Sequence, residues 1–144
     1  MKPTVFIATP IAAFASRCDY DEFRAYLIGL AEKLKASVTI FSAALTVPDV
    51  LSYDSPASSA RQDFLTIEKS EFFVLIYPQN IPTSALVELG YALALKKKIL
   101  ILTVNRDTLP WMLREIDDVY NHVKVHFLTP DWAGLEHTIT GFIV

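Results

Sequence analysis

The sequence predicts an α/β protein: a five-stranded parallel sheet with helices on both faces. Three observations lead there. Short β-branched and aromatic runs alternate with longer stretches of helical periodicity along the chain. Two of the short runs, FFVLIY at 72–77 and ILILTV at 99–104, are apolar apart from Thr103, as strands covered on both faces are. A length of 144 residues, 52% hydrophobic and 20% charged, suits one domain with one sizeable core and excludes a disordered chain.

The elements follow in order. TVFIA, Thr4 to Ala8, is a buried strand stopped by Pro10. Asp19 to Leu34 begins with acidic residues and repeats Phe23, Tyr26, Leu27, Leu30 and Leu34 at helical spacing. VTIF at 38–41 is a second strand, and residues 43 to 60, with Pro48, Pro56 and several serines, read as a long loop. Arg61 to Lys69 is a helix, Phe72 to Tyr77 the third strand, and Pro78 to Pro82 a loop. Ala85 to Lys96 is a helix opened by Thr83 or Ser84 as N-cap, and Ile99 to Val104 is the fourth strand. A short helix from Leu109 to Ile116, a last strand from Val123 to Phe127 and a closing helix from Trp132 to Ile143 complete a single domain spanning 1–144. Crossovers in such a sheet are right-handed, and ligands bind beyond the carboxyl ends of its strands. The loops after the first three strands, including Thr9 to Phe14, are therefore expected to meet at one site.

Composition narrows the function. A net charge of −3 gives no electrostatic case for a nucleic-acid polymer or an anionic membrane, but leaves room for one small phosphorylated ligand. The one cysteine, Cys18, cannot form an internal disulfide, and no Cys/His cluster has zinc spacing, so no metal or cofactor is expected. His122, His126 and His137 are scattered in sequence and suit surface or edge positions. The apolar N-terminus MKPTVFIATPIAAFAS is interrupted by Pro3 and Pro10 and reads as a strand rather than a signal segment. No run reaches the roughly 18 apolar residues of a membrane span. The expectation is a cytoplasmic protein. With four glycines and no GxGxxG, P-loop, GxSxG or HExxH, the common phosphate cradles and hydrolase motifs are set aside.

One residue stands out. From Ala85 to Leu95 every position is apolar, glycine or tyrosine except Glu88. A buried carboxylate is costly unless paired or neutralised. A capping box beginning three residues earlier is excluded by Ala85, and the helical neighbours Tyr91, Ala92 and Leu95 form no polar strip. A structural ion pair with a distant Lys or Arg remains an alternative. The functional reading is a carboxylate facing the cleft, kept ionised by the helix dipole, able to act as a nucleophile or to stabilise an oxocarbenium ion. Asp63 is the second candidate, placed at the start of its helix, where N-cap duty is the competing explanation. Arg61, Lys69 and Lys96 to Lys98 suit solvated or helix-end positions, and Asp117 and Asp118 a surface.

Several stretches together resemble the nucleoside 2-deoxyribosyltransferases and the related 2′-deoxynucleoside 5′-phosphate N-hydrolases. VFIATPIAAF resembles that family's first strand and substrate loop. DFLTIEKSEFFVLI resembles its Asp, helix and strand-opening acid, here Asp63 and Glu71. ALVELGYALALKKKILIL resembles the helix with the catalytic glutamate and the strand that follows. LPWMLREI resembles the segment one subunit lends its neighbour's site. The resemblance implies a flavodoxin-like (Rossmann-like) fold and a homodimer or higher homo-oligomer. It implies a nucleoside or nucleotide substrate, with Glu88 attacking C1′ and Asp63 orienting the substrate or helping the base depart. It makes Phe6, Thr9, Pro10 and Ile11 substrate contacts, with Ser84 replacing a lost polar group and Met112 reaching across the dimer. The chain departs from the pattern in several places, beginning with the patch after strand one, where Thr9, Pro10, Ile11, Ala12 and Ala13 replace a small aromatic-to-glycine stretch that often carries Arg or Gly. Phe6 stands where many members have tyrosine, Pro82 where they hold Asp or Ser, and a glycine between Pro82 and Glu88 is missing. Two other readings accompany the first: a TIR-like NAD-cleaving domain, and an inactive nucleotide-binding sensor on the same fold.

Overall fold

The computed structural model describes residues 2–46 and 55–144. The five strands are β1 (Thr4–Ala8), β2 (Thr39–Phe41), β3 (Phe72–Tyr77), β4 (Lys98–Thr103) and β5 (Val123–Phe127). All pair in parallel, in the order β2-β1-β3-β4-β5, which is the flavodoxin-like arrangement. The helices are α1 (Arg17–Leu34), α2 (Ala43–Thr46), α3 (Pro56–Lys69), α4 (Ser84–Ala94), α5 (Ile116–Val119) and α6 (Leu135–Ile143).

The strand order decides which helices share a face. The chain steps one way from β1 to β2, and the other way from β2 across β1 to β3 and on to β4. Right-handed connections place oppositely directed crossovers on opposite faces. Accordingly α1 and α6 cover one side, where Phe23, Leu27, Leu135 and Ile139 pack on Val5, Ile7, Val74, Ile76, Leu100 and Leu102. α3 and α4 cover the other, where Ile67, Ala85, Leu89 and Ala92 pack on Phe6, Phe73, Leu75, Ile99 and Ile101. Every residue of β3 is buried, which explains its unbroken apolar sequence.

Local chemistry sets the helix ends. Ser16 caps α1 by accepting from the Asp19 amide at 3.1 Å, so the helix begins two residues before the expected Asp19. Ser55 caps α3 in the same way (3.2 Å from the Ser58 amide), with Pro56 as first helical residue. The loop expected over 43–60 is therefore helical at both ends, in α2 and in the first turns of α3, and its middle, 47–54, lies outside the described residues. Serine-rich sequence signalled a cap here, not a loop. Thr83 caps α4, accepting from the Ala85 amide at 3.2 Å. α4 ends in a Schellman turn, Lys97 N–H to Ala92 O and Lys96 N–H to Leu93 O, with Lys96 at φ 57°.

The segment 109–116 is not the expected helix. It holds a 3-10 turn at Trp111–Leu113, and α5 starts only at Ile116. The Arg106 guanidinium fixes this region through two 2.8 Å hydrogen bonds to the Asp117 carboxylate and one of 2.6 Å to the Arg114 carbonyl. Asp117, expected as plain surface, is thus a half-buried structural anion held below its ordinary range by the Arg106 hydrogen bonds. The closing helix begins at Leu135 rather than Trp132, because Gly134 stands in the left-handed region at φ 82°. Among the described residues no helix is long and apolar enough to cross a membrane.

Candidate functional site

The order β2-β1-β3-β4-β5 has its switch point between β1 and β3, where the following segments leave to opposite faces. After β1 the chain turns through Pro10 and a 3-10 turn at Ile11–Ala13. Phe14 anchors that loop by stacking on Phe23 (5.1 Å) and Tyr20 (5.5 Å). After β3, the loop 78–82 is held by Tyr77, whose buried hydroxyl donates to the Ile81 carbonyl at 2.8 Å. This positions the start of α4. Sequence reasoning missed Tyr77. Its signal was a phenol ending an otherwise aliphatic and phenylalanine strand just before a proline.

α4 buries Ala85, Leu89 and Ala92, which turns Glu88 toward the seam with α3. Counting from Ser84, Glu88 is the fifth helical residue, two positions too deep for a capping box. Across the seam stands Asp63, and Phe64 meets Tyr91 edge-on at 5.0 Å beside it. Asp63 is the eighth residue of α3, not an N-cap: Ser55 does that work. The two carboxyl groups hydrogen-bond to each other. Phe6 belongs to the apolar side of the same face, 3% exposed and stacked on Phe73 at 5.7 Å.

The electrostatics depart from expectation. Burial, the negative charge of Asp63 and the hydrogen bond to it push Glu88 up to about 8. Burial likewise raises Asp63, against the hydrogen bond from Glu88. The pair therefore shares one proton at neutral pH, carried mainly by Glu88, which donates to the Asp63 carboxylate. The dipole was expected to keep Glu88 ionised. It fails because its field is confined to the first turn, whereas desolvation and a like charge act directly on this residue. Among the described residues, no lysine or arginine forms a salt bridge with Glu88.

The other expected contacts distribute unevenly. Thr9 follows the end of β1, and its Oγ1 is buried with no hydrogen-bond partner among the described residues. Pro10 is buried, while Ile11 packs against the α1/α6 core, on the opposite face from Glu88. Ser84 is exposed at the first residue of α4. Met112 is 85% exposed and neighbouring Trp111 81%. Two cavities among the described residues lie elsewhere: a groove between β5 and α6 and a hollow between α1 and β2. His122, His126 and His137, scattered in the sequence, come together in the first of these. Among the described residues no cluster of His, Cys, Asp and Glu is arranged to hold a metal ion.

No protein-family model and no curated protein matches the chain. Solved structures do. The chain is similar to a CMP N-glycosidase, BcmB, of Clostridium botulinum at TM-score 0.66 and 19% identity, over 96% of this chain and 98% of that one. It is similar to a conserved protein of Enterococcus faecalis V583 at TM-score 0.56 and 18% identity, over 96% and 88%. It is similar to a 2-desoxiribosyltransferase of Leishmania mexicana at TM-score 0.54 and 18% identity, over 72% and 65%. The shared property is the flavodoxin-like fold.

Proposed function

We propose that the protein cleaves the N-glycosidic bond of a nucleoside or nucleotide, with Glu88 as nucleophile and Asp63 as its proton partner. The observation that carries this reading is the half-buried Asp63–Glu88 pair on the helix that leaves the switch point, free of any cationic partner among the described residues. The names of two structures with the same fold, a CMP N-glycosidase and a 2-desoxiribosyltransferase, support the chemical class.

The pair supplies both requirements of the reaction. When substrate settles over the seam, the shared proton passes from Glu88 to Asp63 and leaves Glu88 ionised beneath C1′. As the C1′–N bond breaks, its electron pair leaves with the base, and Asp63 gives the base that proton. Positive charge builds at C1′ and the Glu88 carboxylate traps it as a glycosyl ester. Water, or a second base, then displaces Glu88, and the proton released in that step returns to the pair. The unpaired Thr9 hydroxyl offers a hydrogen bond to the substrate, and exposed Ser84 a second. Trp111 and Met112, exposed side by side, serve as a lid on the site of a second copy in a homodimer.

The test is release of free base from a panel of nucleosides, nucleotides and NAD, with Glu88→Gln as the control. Base release that vanishes in Glu88→Gln is expected, and full activity in that variant refutes the assignment. Activity is expected to fall on the alkaline side of about pH 8, as the pair loses its proton. Nicotinamide release from NAD alone would favour a TIR-like reaction. Binding without turnover across the panel would favour the sensor reading, which Phe6, with no hydroxyl and packed on Phe73, already suits.

A further inference from the structure

We propose that the groove between β5 and α6 is a second binding site, for a small polyphosphate or phosphorylated anion. It is independent of the chemistry at Glu88. Lys124 and His126 alternate on β5, so both face the side covered by α6. Their β4 neighbours on that side are Leu100 and Leu102, both in the core. The apolar face of the sheet thus turns cationic at its last strand. Lys98 enters from the start of β4, His122 from the turn before β5, and His137 from α6. Two ammonium groups and all three of the chain's imidazoles line one groove of about 820 Å³.

No Asp or Glu side chain lines it, and the one carboxylate among its lining residues is the α-carboxylate of Val144, a residue 98% exposed. Among the described residues no carboxylate pairs with Lys98, Lys124, His126 or His137. His122 is already oriented, its Nδ1–H donating to the Lys97 carbonyl at 2.8 Å. Lys98 and Lys124 bring positive charge to the groove and the imidazoles bring ring-nitrogen hydrogen-bonding groups, a set that suits an oxyanion. Gly141 adds a second observation. A Cβ there would meet nothing within 4 Å, so packing does not require glycine, yet glycine in a helix costs about 1 kcal/mol relative to alanine. It lines the groove and leaves room in it.

Charged residues on an edge strand also block edge-to-edge pairing. That role needs charges on β5 alone. It does not account for Lys98 on the adjoining strand or His137 on the helix. The site lies on the edge strand and on the α1/α6 side of the sheet, whereas Glu88 lies on the α3/α4 side.

The experiment is calorimetric titration with inorganic pyrophosphate and, separately, inorganic phosphate, at fixed ionic strength near 0.15 M. The proteins are the wild type, Lys124→Ala/His126→Ala, Gly141→Glu and Glu88→Gln. Saturable pyrophosphate binding is expected in the wild type and in Glu88→Gln, with phosphate weaker. Each groove variant should weaken it by about tenfold or more, one by removing donors and the other by placing a carboxylate among them. Imidazole resonances of His126 and His137 should shift on titration. Absence of binding overturns the proposal, as does equal affinity in the wild type and both groove variants. Aggregation of Lys124→Ala/His126→Ala while Gly141→Glu binds as the wild type does would leave only the edge-guard role and overturn it too.

Discussion

Replacing Glu88 with glutamine should stabilise the protein, by an amount that grows with pH. The folded chain holds the Glu88 proton up to about pH 8, while the unfolded chain releases it near the ordinary value of 4.5. Between those limits the folded state binds one proton more than the unfolded state. Unfolding free energy then falls as pH rises, by about 1.4 kcal/mol per pH unit. This contribution is intact below about pH 4.5 and fully lost above about 8. At pH 7 the accumulated loss is about 3 kcal/mol, an upper figure because the site can relax around the charge. Glutamine cannot ionise, and its amide N–H can still donate to Asp63. Glu88→Gln should therefore match the wild type near pH 4.5 and exceed it at pH 7 by up to about 3 kcal/mol, or roughly 6–12 °C in melting temperature, with the gap still widening toward pH 8. Thermal unfolding of both proteins across pH 5 to 8.5 is the measurement. Parallel profiles, or a variant less stable than the wild type at pH 8, would refute the shared-proton account. Asp63→Asn should flatten the wild-type profile in part, because it removes the like charge but not the burial. The same carboxyl would then be a source of both activity and instability, a common trade at active sites.

Asp117→Asn removes the anion that Arg106 grips twice, in a pair that is partly exposed on the Arg106 side. It should cost about 1 kcal/mol by denaturant titration. Since Arg106 lowers Asp117, the wild type has this contribution above the ordinary 3.8 and loses it as pH falls further, and Asp117→Asn should lack that acid-side loss. Lys96→Gly should stabilise by about 1 kcal/mol, because Lys96 holds φ 57° at the end of α4, where glycine carries no steric penalty. An unchanged melting temperature would show that the turn is not strained. Met112→Ser with Trp111→Ser should lower the dimer fraction in sedimentation velocity and the rate of base release together. Loss of one without the other would separate the interface from the site.

The periodicity and the apolar strands fixed the architecture in advance, since burial on one or both faces leaves a pattern in consecutive residues. Thr4–Ala8, Phe72–Tyr77 and Val123–Phe127 have the bounds their composition indicated. Glu88 was legible for the same reason: one carboxyl in an apolar helix is a local anomaly. Helix starts were less legible, because Ser16 and Ser55 look like loop serines until their side chains are seen accepting from backbone amides. What no stretch of sequence contains is the company a residue keeps across the fold. Asp63 lies 25 positions before Glu88, and only the order β2-β1-β3-β4-β5 brings α3 and α4 together on one face. That pairing reverses the charge state expected for Glu88, since burial and a neighbouring carboxylate outweigh a dipole confined to the first turn. The three histidines follow the same rule: dispersed over residues 122 to 137, they meet only where α6 folds back on the edge strand. Sequence determined which surfaces must be buried. Tertiary structure decided which charged groups face one another, because their energies depend on distances that chain order does not set.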